Sequence, residues 1–294
     1  MLKRSLHLHS THKPYLPTLT RTTLIFLFII SITNHGISPV KAHIFIYSGC
    51  SQEKYQPNSP FEANLNSFLA SVVSSSSEAS YNSFSIGNGT SPPSPPDATV
   101  FGLYQCRGDL KTIDCKVCIQ STVNQIGLVC PNSYGAALQL EGCHLRYERS
   151  NFLGQLDTSV KYKKCSRSSV SNDVEFFRRR DDVLGDLETS TGFKVSSSGL
   201  VEGYDQCLGD LSKEDCSSCI GNVVAMLKNL CGSAAAADVY LGQCYARYWA
   251  SGYYDVSDSS HEDQVGKTVA IIVGGVAGLA VLIVLLSFCR KSMG

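Results

Sequence analysis

Twelve thiols of this 294-residue chain fall into two copies of one spacing. Cys106, Cys115, Cys118, Cys130 and Cys143 are separated by 9, 3, 12 and 13 positions, and Cys207, Cys216, Cys219, Cys231 and Cys244 repeat those steps 101 residues later. One further cysteine precedes each set, Cys50 and Cys165, which makes two groups of six. Zinc would want a second closely spaced pair after Cys115-x-x-Cys118 or Cys216-x-x-Cys219, but the next cysteines stand 12 and 13 positions apart. A thioredoxin-like site would want a βαβ setting and one active pair rather than two matched sets. Even sets of this size point to disulfides formed in an oxidising compartment. Six cysteines allow fifteen connectivities, and spacing alone does not choose among them.

Other chemistry is thin. No Gly-rich phosphate loop, His-Glu-x-x-His or Gly-x-Ser-x-Gly motif occurs. His144, beside Cys143, has no partner at ligand or triad spacing and reads as a structural strand residue. No enzyme, metal or cofactor is expected. All 25 acids and 18 of the 25 basic residues lie between positions 43 and 267, a net charge of −7 that gives no electrostatic reason to bind nucleic acid. The local basic clusters Lys161, Lys163, Lys164 and Arg178-Arg179-Arg180 read as solvated faces.

The ends carry targeting signals. Lys3, Arg4, Lys13 and Arg21 precede the apolar run Leu24–Ile32, too short to span a bilayer but suited to a signal-peptide core, with cleavage expected after Ala42; a retained signal anchor is the alternative. Val269–Phe288 is uncharged and long enough to cross the hydrocarbon core, and Arg290 and Lys291 mark its cytoplasmic side. A lipid-anchor signal is the competing reading, disfavoured by the basic end. The expected order is a signal peptide at 1–42, domains at 43–152 and 158–254, a polar stalk at 255–267, a transmembrane helix at 268–289 and a tail at 290–294, which leaves no room for a kinase. Ala270, Gly274 and Gly278 fall on one face of the span and make a candidate self-association surface. Cys289, at its cytoplasmic end, is a candidate S-palmitoylation site.

The elements that position the cysteines repeat as well. Ser212 and Asp215 form a capping-box pattern before an apolar stripe of Cys216, Cys219, Ile220, Val223, Val224, Leu227 and Leu230. Cys115, Cys118, Ile119, Val123 and Ile126 match it in the first copy. Earlier amphipathic helices are expected at Phe61–Val73, with Phe61, Leu65, Phe68, Leu69 and Val72 inward, and at Val174–Leu187, with Val174, Phe177, Leu184 and Leu187 inward. Ala136–Tyr147 and Ala237–Tyr248 read as strands. The Gly/Pro-rich tract 87–96 reads as an exposed loop and carries the sequon Asn88-Gly89-Thr90. Each unit is therefore α+β, two helices on a small antiparallel sheet.

Cys-x8-Cys-x2-Cys, with Gly-Asp-Leu at Gly108–Leu110 and Gly209–Leu211 and Arg-Tyr at Arg146-Tyr147 and Arg247-Tyr248, resembles the plant cysteine-rich repeat. That repeat is also called the DUF26 or ginkbilobin-homologous domain, and the resemblance covers roughly residues 43–254. Two such domains with a stalk, one span and no kinase resemble the plasmodesmata-located proteins. The resemblance implies two helices on a five-stranded antiparallel sheet in each domain. It also implies the pairs Cys50–Cys130, Cys106–Cys115 and Cys118–Cys143, then Cys165–Cys231, Cys207–Cys216 and Cys219–Cys244. The ginkbilobin lectin holds mannose with an Asn, an Arg and a Glu; the matching positions here are Ser51, Ala137 and Glu148, then Ser166, Asp238 and Trp249, so that site is expected to be absent. The function implied is regulation of symplastic traffic at plasmodesmata through callose deposition and defence signalling. The partners implied are related family members, callose-synthesis machinery and viral movement proteins. A carbohydrate-binding sensor of cell-wall glycans, or an antifungal lectin-like module, is the alternative.

Overall fold

The computed structural model describes residues 43–87, 98–167, 169–170 and 173–251. The expected signal peptide, Asn88, the stalk, the span with Ala270, Gly274 and Gly278, and Cys289 lie outside the described residues.

Each repeat begins with an edge strand and then a capped helix. In the first, β1 (Phe45–Cys50) is followed by α1 (Pro60–Ser75), whose N-cap Ser59 accepts a hydrogen bond from the Glu62 amide while Pro60 takes the first helical position, where no amide hydrogen is needed. β2 (Tyr81–Ile86) and β3 (Val100–Cys106) form a hairpin around the Gly/Pro tract; α2 (Thr112–Val129), β4 (Ala136–Leu140) and β5 (Cys143–Glu148) complete the unit. The second repeat runs β6 (Val160–Cys165), α3 (Val174–Leu187), β7 (Phe193–Ser198), β8 (Val201–Cys207), α4 (Lys213–Cys231), β9 (Ala236–Leu241) and β10 (Cys244–Ala250). Both sheets are five-stranded and antiparallel, in the orders β1-β4-β5-β3-β2 and β6-β9-β10-β8-β7. The α+β class expected for each unit is the one observed.

The helices pack on one face of each sheet and make two separate cores. Phe61, Leu65, Phe68 and Val72 of α1 meet Cys118, Ile119 and Ile126 of α2 over Leu138, Leu145 and Tyr147. In the second repeat Val183, Leu184 and Leu187 meet Ile220, Val223 and Leu227. Two expected core positions are corrected, Val174 and Leu230, while Phe177 and Val123 are half-buried and pack against their cores. Val174 is 81% exposed and Phe177 only half-buried, because the Asp173 cap starts α3 so that Phe176, Arg180 and Val183 turn inward. Leu230 is exposed, since α4 continues to Cys231 and the disulfide takes the inward place. Val123 is half-buried because Thr122 occupies the core, its hydroxyl donating to the Cys118 carbonyl at 2.9 Å and lying 3.2 Å from Cys143 Sγ. Arg180 also departs from the solvated face expected for its cluster: it is buried, donates to the Gly232 carbonyl at the end of α4, and stacks on Phe177. Arg178 and Arg179 pair with Glu175 along the exposed side of α3.

The twelve cysteines form six bonds: Cys50–Cys130, Cys106–Cys115, Cys118–Cys143, Cys165–Cys231, Cys207–Cys216 and Cys219–Cys244. Each domain is thereby stapled in one pattern: edge strand to the end of the second helix, an inner strand to the start of that helix, and the helix to the start of the last strand.

Candidate binding sites at the domain boundary

The faces of the two sheets that carry no helix meet each other, and the repeated sequence motifs lie at that meeting. Gly108 of the first Gly-Asp-Leu packs on the Phe193 ring, where a Cβ would come within 2.5 Å, and Gly209 of the second packs on Tyr81, where it would come within 2.8 Å. Tyr81 and Phe193 hold the same place in their sheets, facing Gln105 and Gln206 across the hairpin. Those glutamines reciprocate: the Gly209 amide donates to Gln105 Oε1 and Gln206 Nε2 donates to the Cys106 carbonyl, both at 3.0 Å. Near the edge strands, after a register shift in each, Tyr47 stacks on Tyr162 with ring centroids 6.1 Å apart. The two copies thus contact each other through equivalent residues, a pseudo-twofold arrangement within one chain.

The two sides of that axis differ chemically. On one, Leu103, Phe152 and Leu208 form a small apolar cluster. On the other, Glu141 of the first domain is held by three donors: Arg107 of its own domain, and Arg247 and the Tyr204 hydroxyl of the second. Arg247 Nε also lies 2.9 Å from Asp238 Oδ1. Burial raises the Asp238 carboxyl against the opposing pull of Arg247. Burial pulls the Arg247 guanidinium down, and Asp238, Tyr204 and Glu141 more than offset it, so the arginine stays charged.

Two clefts flank this boundary. The first, about 380 Å³, brings together Ser51, Ala137 and Glu148, the positions that correspond to the mannose-holding residues of the lectin. Sequence comparison by position finds no arginine for Glu148, but Arg146, two residues back on the same face of β5, places Nε and Nη2 3.4 Å from its carboxylate. The alternation of a strand carries that signal, because residues i and i+2 share a face. His144 lines the same cleft, buried with neither ring nitrogen hydrogen-bonded, and burial lowers its pKa to about 3. The second cleft, about 540 Å³, is walled by Arg107, Asp109 and Glu141 from the first domain and by Phe193, Glu202, Tyr204, Arg247 and Trp249 from the second. Asp238 and Trp249 line it, whereas Ser166, third of the corresponding set, does not. Cys50 lines the first cleft, but all twelve paired cysteines are committed to disulfides.

A profile of the family described as salt stress response/antifungal matches residues 49–150 and 164–251. Plasmodesmata-located protein 8 of Arabidopsis thaliana is 65% identical over 255 residues, covering 86% of this chain and 91% of that one. The chain belongs to the plasmodesmata-located protein family. The crystal structure of the tandem DUF26 ectodomain of that Arabidopsis thaliana protein superposes with a TM-score of 0.68, covering 71% of this chain and all of the other. The corresponding ectodomain of plasmodesmata-located protein 5, 40% identical, gives 0.67 with the same coverage. Tandem DUF26 domains are therefore the architecture this chain shares with those two ectodomains, and six disulfides staple it here.

Proposed function

We propose that this chain is a non-enzymatic membrane protein of plasmodesmata that restricts cell-to-cell traffic. One span at 268–289 holds its two-domain body outside the cell. Its effect runs through callose deposition and defence signalling, and viral movement proteins use it as a receptor. The observation that supports this reading best is the 65% identity to plasmodesmata-located protein 8 over 86% of the chain, which reaches beyond the DUF26 body into its flanks. A C-terminally tagged full chain should appear as puncta along walls shared by neighbouring cells, and its overproduction should slow the spread of a cytosolic fluorescent protein between them. Uniform membrane signal with unchanged spread would overturn the proposal.

A second reading, a sensor of cell-wall glycans, is favoured by the cleft that sets Glu148 and Arg146 beside Ser51. A carboxylate and a guanidinium fork on one wall supply acceptors and donors for vicinal hydroxyls. Glycan binding by the detergent-solubilised chain that is abolished by Glu148→Gln supports this reading; absence of binding to any wall polysaccharide removes it.

A further inference from the structure

Each repeat sets an acid and an aromatic residue directly opposite each other on the same two strands, but in exchanged positions. In the first, Phe101 of β3 faces Glu148 of β5; in the second, Glu202 of β8 faces Trp249 of β10. The 101-residue offset makes these the same two sites. Side chains opposed in this way stand about 5 Å apart at Cβ. In the first repeat a guanidinium completes the couple, since Arg146, two residues back along β5, lies 3.4 Å from the Glu148 carboxylate.

The second repeat keeps that arginine as Arg247, but the domain boundary takes it. It pairs with Glu141 of the first domain and, at 2.9 Å, with Asp238, and its guanidinium lies over the Tyr204 ring. Arg107 is committed in the same way, to Asp109, to Glu141 and to that ring. The result is a ladder of alternating charge, Asp109–Arg107–Glu141–Arg247–Asp238, which begins and ends on a carboxylate. Lys164, opposite Asp238 on β6, offsets one end. Glu202 is left over. It is exposed on the wall of the cleft of about 540 Å³, and among the described residues no cation pairs with it and none lies over Trp249.

We propose that this cleft binds an organic cation, a guanidinium or alkylammonium group, with its flat or apolar side on Trp249 and its hydrogens on the Glu202 carboxylate. Tryptophan is the ring that attracts a cation most strongly, within about 6 Å of its centroid. A guanidinium or alkylammonium is less firmly hydrated than a metal ion and brings an apolar body for the Tyr204 and Val195 side of the cleft. The volume is that of a small-ligand site, so more than the charged head is held. A neutral sugar could lie on the same ring, but it would leave the carboxylate without a counter-charge. The cation comes either as a free polyamine or as an arginine or lysine side chain of a peptide.

Trp249 is the only tryptophan of the chain, so its emission reads this cleft directly. The full chain in a neutral detergent should show a saturable emission change with spermidine or with a short arginine-containing peptide, and the tighter of the two names the source. Binding should weaken by about tenfold in Glu202→Gln and stay as in wild type in Glu148→Gln, which alters the other cleft. Glu202→Lys places a cation beside the ring from within the chain, so its emission should already be shifted and the probe should add nothing. No saturable change with either probe overturns the proposal. So does equal binding in wild type and Glu202→Gln, or a response to a neutral oligosaccharide as large as that to the cations and insensitive to salt.

Discussion

At the scale of single residues, two buried ionisable groups oppose each other in their effect on stability. Asp205 occupies the place that Tyr104 holds in the first repeat. Tyr104 satisfies its hydroxyl with Ser75 and the Ala79 carbonyl, whereas burial pushes the Asp205 carboxyl up to about 7, Ser190 and Lys194 offsetting only part of that rise. A folded-state pKa raised above the unfolded value gives stability that is complete below the ordinary aspartate range and lost as pH rises through about 7. The loss amounts to roughly 4 kcal/mol at most. Asp205→Asn should flatten this fall between the ordinary aspartate range and about pH 7 in urea unfolding midpoints measured across pH. His144 works the other way. Its folded pKa of about 3 lies below the unfolded 6.5, so its contribution is complete above pH 6.5 and falls as the solution is acidified. That fall is about 1.4 kcal/mol per pH unit for one proton, and His144→Gln should remove it. Neither effect was legible in the sequence. His144 shows there as a strand residue, but burial without a hydrogen bond depends on what the opposite domain covers, and Asp205 stands in a strand where a polar residue reads as solvent-facing.

Among the elements, the six disulfides divide the work unequally. The loop-entropy account assigns about 2.6 kcal/mol to a bridge across nine residues and about 4.5 kcal/mol across eighty, the separations of Cys106–Cys115 and Cys50–Cys130. Paired alanine variants should therefore rank in that order by chemical denaturation, with the edge-strand bridge the costlier loss. The order reverses only if the short bridge, which ties β3 to the start of α2, also sets that helix's position. The four helices were legible in periodicity, one of them also in the Ser212 cap, and the strands only over 136–147 and 237–248. The caps at Ser59 and Asp173, whose side chains likewise accept an amide hydrogen of the first turn, emerge from the structure. The inward stripes of α3 and α4 hold along most of their length and fail only at their ends, at Val174 in the first turn after the Asp173 cap and at Leu230 in the last turn before Cys231, where the cap and the crosslink set the inward positions. The repeated Gly-Asp-Leu was visible as a motif. Its purpose was not, since one sequence does not say whether a glycine makes room within its own domain or for a ring of the other.

For the whole molecule, the boundary between repeats decides whether the body unfolds in one step or two. Glu141 bridges two guanidiniums drawn from different domains, each of which also pairs with an aspartate, with side-chain exposures of 14–18% around it. Removing one partner of such a buried group is costly, about 3–5 kcal/mol. Glu141→Gln should split a single calorimetric transition into two, the second repeat and the first melting apart; a single unshifted transition would show that the apolar side around Phe152 and Leu208 couples the domains unaided.

The spacing of the cysteines has a consequence for the order in which the chain is made. Because both sets obey the same steps, a thiol of one copy meets nearly the same geometry in the other, and Cys231 is as well shaped a partner for Cys50 as Cys130 is. What separates them is time. Cys143 completes the first set before Cys165 opens the second, so a chain emerging from its N-terminus closes one domain while the competing thiols do not yet exist. A reduced full-length chain released from denaturant has all twelve at once. Its first oxidation products should include cross-copy bonds, detectable by peptide mapping, that are missing from the protein as cells deliver it.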